Sequence, residues 1–119
     1  MNAEPSPQTQ VRLMAAHAHA AAAARDHAAP ARIVVAVIGR DRPGIMASVT
    51  AVLAARTANI LDVSQTIMSD LFTMVMLVDI NHTSVPFATL KAELEAHGQS
   101  ENLVILVQHE DIFRAMHRV

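Results

Sequence analysis

The chain has 119 residues, a formal net charge of −2 and no cysteine. The length suits one domain, and the scattered positive charges offer no basic surface for nucleic acid. Without cysteine there can be no disulfides or thiolate metal sites, which fits a reducing cytoplasm, and no apolar run reaches the roughly 18 residues of a membrane span.

Residues 1–30 form an N-terminal extension that is rich in alanine between Ala15 and Ala29. Alanine is the best helix former, so we expect the extension to be helical or disordered and to end before Pro30. A secretory signal is disfavoured because His17 and His19 interrupt the apolar segment. We therefore expect the folded domain to span residues 31–119.

The first predicted strand is the unbroken apolar run from Ile33 to Ile38. Its many β-branched residues are typical of a strand buried on both faces, and Gly39 ends it. Apolar residues then recur at helical spacing, at Ile45, Val49, Val52 and Leu53. Because proline suits the first helical position, we expect this helix to open near Pro43.

The opening of this predicted helix is the first candidate binding site. The N–H groups of Gly44, Ile45 and Met46 would have no partner within the helix, and Gly44 has no side chain to block access to them. Such an opening can accept a carboxylate or a phosphate. Alternatively, Asp41 caps the helix with its own carboxylate, and these residues alone leave both interpretations open.

Two further strands follow, joined by a link short enough for a hairpin. Leu61, Val63 and Ile67 alternate with polar residues in the second strand, from Ile60 to Met68, and such alternation predicts that one face is covered and the other is not. The third strand, Phe72 to Ile80, is apolar at nearly every position.

A second helix is expected to have Pro86 in its first turn and to end at Gly98 in a left-handed cap. The fourth strand is predicted from Asn102 to Gln108. Residues 109–118 have acidic residues near the start and arginines toward the end, a charge order that favours a terminal helix.

The order βαββαβ predicts an α+β fold of the ferredoxin-like kind, plus a short C-terminal helix. Right-handed crossovers would place both helices on one face of a four-stranded antiparallel sheet with strand order 4-1-3-2. The first and third strands are then central, in agreement with their apolar sequences. Since two helices cover one face only, we expect Val75 and Leu77 on the other face to be shielded by the terminal helix or by a second copy.

Two motifs carry a family resemblance. Gly39 to Ile45 reads Gly-Arg-Asp-Arg-Pro-Gly-Ile and matches G-x-D-x-P-G-I, and Ala58 to Asp62 contains a matching Asn-Ile pair. From about Arg32 to Gln108 the chain resembles the ACT domain, a small-molecule regulatory module attached to many enzymes of amino-acid metabolism. In further detail it is similar to the stand-alone ACT proteins related to glycine-cleavage regulators.

This resemblance implies a homodimer, paired side by side through sheet and helices, that binds an amino acid near the interface. The turn would meet the carboxylate or backbone of the ligand, and Asn59, expected near the turn, would contact the ligand through its amide. The implied ligand-binding residues are Asp41, Arg42, Pro43, Gly44, Ile45, Asn59 and Ile60. A cytoplasmic location and a regulated enzyme or regulator as partner are implied as well, without a cofactor or metal.

Catalysis is not expected, because the spacing of Ser48, Ser64, Thr66 and the histidines fits no hydrolase or metalloenzyme motif. We interpret His97 as a residue that complements the dipole at a helix C-terminus. Two functions remain open: an amino-acid-sensing regulatory module, and a structural interaction module with the same fold and no small-molecule ligand.

Overall fold

The computed structural model describes residues 31–116. The N-terminal extension and residues 117–119 lie outside the described residues, so the domain boundary near residue 30 stays a prediction. The elements are β1 (Arg32–Arg40), α1 (Ile45–Ala55), β2 (Asn59–Met68), β3 (Leu71–Asp79), α2 (Phe87–Glu101), β4 (Val104–His109) and α3 (Glu110–Met116). This order confirms the predicted βαββαβ arrangement with a terminal helix.

The four strands form one antiparallel sheet in the order β2-β3-β1-β4, as predicted. Arg32 at the start of β1 pairs with Asp79 of β3, and Asp79 pairs with Asn59 at the start of β2. At the opposite end of the sheet, Arg40 pairs with Leu71. We call these two ends of the sheet the Arg32 end and the Arg40 end.

The main core lies between the sheet and the two helices α1 and α2. Alternate residues of β1 and β3 point into it, and Met74 and Met76 are fully buried there. The helices contribute aliphatic side chains at helical spacing, namely Ile45, Val49, Leu53, Leu90 and Leu94. The core is therefore mainly aliphatic.

A second apolar cluster lies on the other face of the sheet. It contains Val75 and Leu77, which are 0% and 1% exposed, together with Phe113 of α3. The shielding expected for this face is thus present within one chain, and α3 contributes to it. Arg32 binds Glu110 at the start of α3, with Nε and Nη2 at 2.9 Å and 2.7 Å from Oε1.

The alternating residues of β2 do not share one covered face, so that expectation is wrong. A bulge between Ile60 and Asp62 puts Leu61 against the second cluster. Val63 and Ile67 are on the helix side of the sheet but are 38% and 49% exposed. The reason is that β2 is an edge strand, and the helices do not fully cover that edge.

Two predicted helix ends also need correction. Helix α1 begins at Ile45 rather than near Pro43. Helix α2 continues through Gly98 to Glu101, and Asn102, with φ 58°, takes the left-handed position instead. Gly98 instead allows the chain to pack closely, because a Cβ there would lie only 2.9 Å from the carbonyl oxygen of Leu103.

Candidate functional site

The turn between β1 and α1 leaves the start of α1 open. Gly44 is the N-cap residue, with φ 88° and ψ 1°, and no side chain within residues 31–116 caps the helix. These angles match the third position of a type II turn, which favours glycine after proline, here Pro43. The first backbone N–H groups of the helix, beginning at Ile45, have no partner within the helix. The turn can therefore accept an anion.

Asp41 does not cap this helix, so that alternative is wrong. It lies on the turn three residues before the N-cap residue Gly44, and its side chain is exposed. Its backbone N–H donates to the carbonyl oxygen of Asp70 over 2.7 Å, which ties the turn to the β2–β3 hairpin. The Asp41 carboxylate therefore leaves the helix opening unfilled.

Arg42 also binds outside the turn. Its Nη2 donates to the carbonyl oxygen of Glu101 over 2.7 Å and lies 3.5 Å from Oε1 of the same residue. Because Glu101 is the last residue of α2, Arg42 connects the turn to the end of that helix. The family resemblance implied a ligand-binding role for Arg42 and not this contact, because 59 residues separate it from Glu101.

Pro43 and Gly44 are exposed, whereas Ile45 is 1% exposed and belongs to the main core. Ile45 can therefore offer a ligand its backbone N–H but not its side chain. Its burial fixes the first residue of α1 against the sheet, and this positions the opening.

Asn59 does not lie near the turn of the same chain, so that expectation is wrong. It pairs with Asp79 at the Arg32 end, whereas the turn follows Arg40 at the other end. Since β1 is nine residues long, the two are roughly 25 Å apart at about 3.3 Å per residue. Ile60, next to Asn59, packs against the main core. Of the implied ligand-binding residues, a single chain therefore brings together only Asp41 to Ile45.

His97 and Ser48 form a contact near the opening that the sequence did not reveal. His97 Nε2 lies 3.0 Å from Ser48 Oγ, and this hydroxyl donates to the carbonyl oxygen of Ile45 over 3.0 Å. In the tautomer with its proton on Nε2, the imidazole can donate to this hydroxyl oxygen. His97 thus links α2 to the first turns of α1 rather than serving its own helix end alone. The 49 residues between the pair explain why no local pattern signals it.

Residues 31–116 lack two other kinds of feature. No group of His, Cys, Asp and Glu side chains there could hold a metal ion. None of the helices in that range is long and apolar enough to cross a membrane.

The βαββαβ sandwich with a Pro-Gly turn at the start of α1 defines a ferredoxin-like domain. The family model of the ACT domain matches residues 31–108, and the chain belongs to the ACT domain family. ACT domains are in general regulatory domains that bind small ligands.

Relatives and solved structures agree with this assignment. A UPF0237 protein of Methanocaldococcus jannaschii is 59% identical over 88 residues, which cover 74% of this chain and 98% of that protein. An ACT domain protein from Streptococcus pneumoniae is 35% identical, with a TM-score of 0.63, over 71% of this chain and 96% of that one. A candidate glycine cleavage system transcriptional repressor shares the fold, with a TM-score of 0.60 at 24% identity, over 66% of this chain and 45% of that one. The first two consist almost entirely of the matched domain.

Proposed function

We propose that this protein is a regulatory domain that binds a free amino acid at the opening of α1. The observation that carries the proposal is the uncapped helix start behind Gly44. There the ligand carboxylate would accept hydrogen bonds from the N–H groups of Ile45 and its neighbours. The carboxylate of Asp41, exposed on the same turn, would attract the ammonium group. Two opposite charges on one small ligand favour an amino acid over a phosphate.

We further propose that Asn59 of a second copy completes this site. In an antiparallel pairing of two β2 strands about their middle, Asn59 of each copy lies beside the Met68 end of the other. Met68 pairs with Leu71, which pairs with Arg40, so this is the end of the sheet that carries the turn. In such a dimer, Asn59 of one copy would lie at the end of the sheet that carries the turn of the other copy.

Exposed apolar residues on and near β2 support this pairing. Val63 and Ile67 on β2 and Met46 in the first turn of α1 are 38%, 49% and 37% exposed. Val63 and Ile67 are on the helix side of the edge strand β2, and Met46 belongs to a helix on that same side of the sheet. Strand edges with exposed apolar side chains are templates for pairing with another chain, and ACT domains often form dimers.

The dimer is tested by a lysine on either edge of the sheet. Ile67→Lys on β2 should give a monomer in sedimentation equilibrium at micromolar concentration, because the charge would be buried in the interface. Leu106→Lys on β4 is the matched control, since Leu106 is 51% exposed against 49% for Ile67. The control should remain a dimer. A monomeric wild type, or a dimer lost only with Leu106→Lys, would contradict this interface.

Ligand binding is tested by a thermal-shift screen with the twenty amino acids. A ligand at 100 times its Kd should add about 2.7 kcal/mol to the stability of the folded state. The amino acid that raises the melting temperature is then titrated calorimetrically into wild type and Asn59→Ala. We expect the variant to lose roughly 0.5 to 3 kcal/mol of binding free energy while keeping its fold.

The alternative function is a structural interaction module with the same fold. It predicts that the dimer forms and that no amino acid shifts the melting temperature. Under the regulatory proposal, the bound amino acid changes self-association or the affinity for a partner enzyme or regulator in the cytoplasm, and the chain itself performs no catalysis.

A further inference from the structure

Arg42 makes a contact that the binding site alone does not explain. Its guanidinium donates from Nη2 to the carbonyl oxygen of Glu101 over 2.7 Å. The last carbonyls of a helix lack partners within it, and they lie at the negative end of the helix dipole. Two neighbouring carbonyls are already satisfied by the chain after the helix, through Asn102 N–H to Gln99 and Leu103 N–H to Gly98. The donor for Glu101 instead comes from the turn.

The end of β1 also packs closely against the segment that follows α2. A Cβ at Gly39 would lie 2.5 Å from Leu103 Cδ2 and 3.7 Å from the carbonyl oxygen of Asn102. The end of β1 therefore lies directly against the connection between α2 and β4. Arg42, three residues beyond Gly39, adds a side-chain hydrogen bond to Glu101, which directly precedes that connection.

Few other contacts hold the turn. The side chains of Asp41 to Gly44 are exposed, and the backbone hydrogen bonds from Asp41 to Asp70 and from Ser48 to Gly44 hold only its two ends. A short exposed segment with so few contacts would fluctuate without further support. The hydrogen bond from Arg42 supplies that support next to the opening.

We propose that Arg42 is a positioning residue, a tether that holds the turn against the end of α2 and so keeps the helix opening ready for ligand. Its role in binding rests on the proposed function. A turn that is already ordered loses less conformational freedom when the ligand binds, so affinity is higher. The tether also connects the ligand site to the segment that leads into β4.

The test compares Arg42→Met with Arg40→Met by amide hydrogen exchange on the full chain without ligand. Arg40 is the matched control because it is an exposed arginine at the end of β1, two residues from Arg42. We expect Arg42→Met to speed exchange in residues 41–46 and 102–104 by roughly threefold or more, and Arg40→Met to leave both unchanged. Unchanged exchange in Arg42→Met would overturn the tether.

Two further variants define the contact. Glu101→Gln should leave exchange unchanged, because the carboxylate is 3.5 Å away and exposed ion pairs contribute little. Arg42→Lys should restore part of the protection, since an ammonium can also donate to a carbonyl oxygen. If Glu101→Gln alone reproduced the effect of Arg42→Met, the contact would be a side-chain ion pair and the proposed capping would be wrong.

Measurements of ligand affinity distinguish a positioning role of Arg42 from direct contact between Arg42 and the ligand. With the amino acid found in the screen, Arg42→Met should weaken affinity roughly three- to tenfold, and Arg42→Lys should recover affinity and protection together. Weaker binding with normal exchange would mean that Arg42 touches the ligand, which contradicts a positioning role. If no amino acid binds wild type, the proposed function fails, and the exchange comparison still decides whether the tether exists.

Discussion

Gly44 is the residue whose backbone shape determines the opening. Its φ of 88° lies in the left-handed region that side chains with a Cβ rarely adopt. A Cβ at this position would meet nothing within 4 Å, so substitution is opposed by backbone strain and not by a steric clash. Glycine is therefore favoured here by its left-handed backbone conformation. Because glycine has no side chain, the space in front of the helix stays free.

We predict that Gly44→Ala lowers the free energy of unfolding by about 1 to 2 kcal/mol, which is the strain of a left-handed residue with a Cβ. Gly44→Asn should cost less, because asparagine tolerates this region better. Urea denaturation measures both, and the slope m should stay constant. Equal losses for the two variants would show that strain at φ is not the cause.

At the scale of elements, α3 is attached to the sheet by a nearly buried ion pair. The side chains of Arg32 and Glu110 are 10% and 9% exposed. Arg32 Nη1 is buried without a hydrogen-bond partner among the residues that the structure describes, so the guanidinium depends on Glu110 for its neutralisation. Phe113 on the same helix packs into the second cluster, and the ion pair holds it there.

Glu110→Ala should lower the free energy of unfolding by on the order of 3 kcal/mol, because it leaves a buried arginine without its partner. Asp111→Ala is the control, since Asp111 is the next residue of α3 and is exposed; its effect should be close to zero. Chemical denaturation of both variants checks this. Similar small losses would mean that water reaches Arg32 once the carboxylate is gone.

The helices α1 and α2 are joined by a second ion pair near the end of α1. Arg56 contacts both carboxylate oxygens of Glu93, at 2.8 Å and 2.5 Å. The hydrogen bonds from Arg56 lower the pKa of Glu93 below its ordinary value of 4.5, and desolvation opposes them. The folded state therefore binds this proton less tightly than the unfolded state.

It follows that the pair adds stability above the unfolded-state pKa of Glu93 and loses it as the pH falls through the lower folded-state pKa. We predict that wild type is more stable than Glu93→Gln near pH 7, and that the difference disappears well below about pH 4. Glu95→Gln, an exposed position on the same helix, is the control for removing one negative charge from that helix. A difference that persists in strong acid would contradict this assignment.

At the scale of the whole molecule, the fold follows from patterns that are local or periodic. The apolar runs of β1 and β3, the helical spacing in α1 and the order of elements sufficed for the sheet order. Local patterns did not determine where the helices end, because glycine suits both a left-handed cap and close packing. At Gly98 the close approach of the chain at β4 is the reason for the glycine. The exposure of Val63 and Ile67 depends on how far the helices extend over an edge strand, which alternation does not encode.

The candidate site was predicted in part for the same reason. The turn is contiguous in sequence, so its motif identified Asp41 to Ile45 as a unit. The contacts of Arg42 with Glu101 and of His97 with Ser48 join residues 59 and 49 positions apart. The position of Asn59 at the Arg32 end follows from strand register across three strands. No single stretch of sequence contains that information.

The central claim is that an amino acid binds at a site made from the turn of one copy and Asn59 of another. The most direct measurement is calorimetric titration of a heterodimer of Asp41→Ala and Asn59→Ala, co-expressed with different tags. Such a dimer has one intact site, formed by the turn of the Asn59→Ala chain and Asn59 of the Asp41→Ala chain. We predict that each variant alone binds weakly, and that the heterodimer binds with wild-type affinity at one site per two chains. A heterodimer as weak as either variant, or a wild type that binds no amino acid, would contradict the claim.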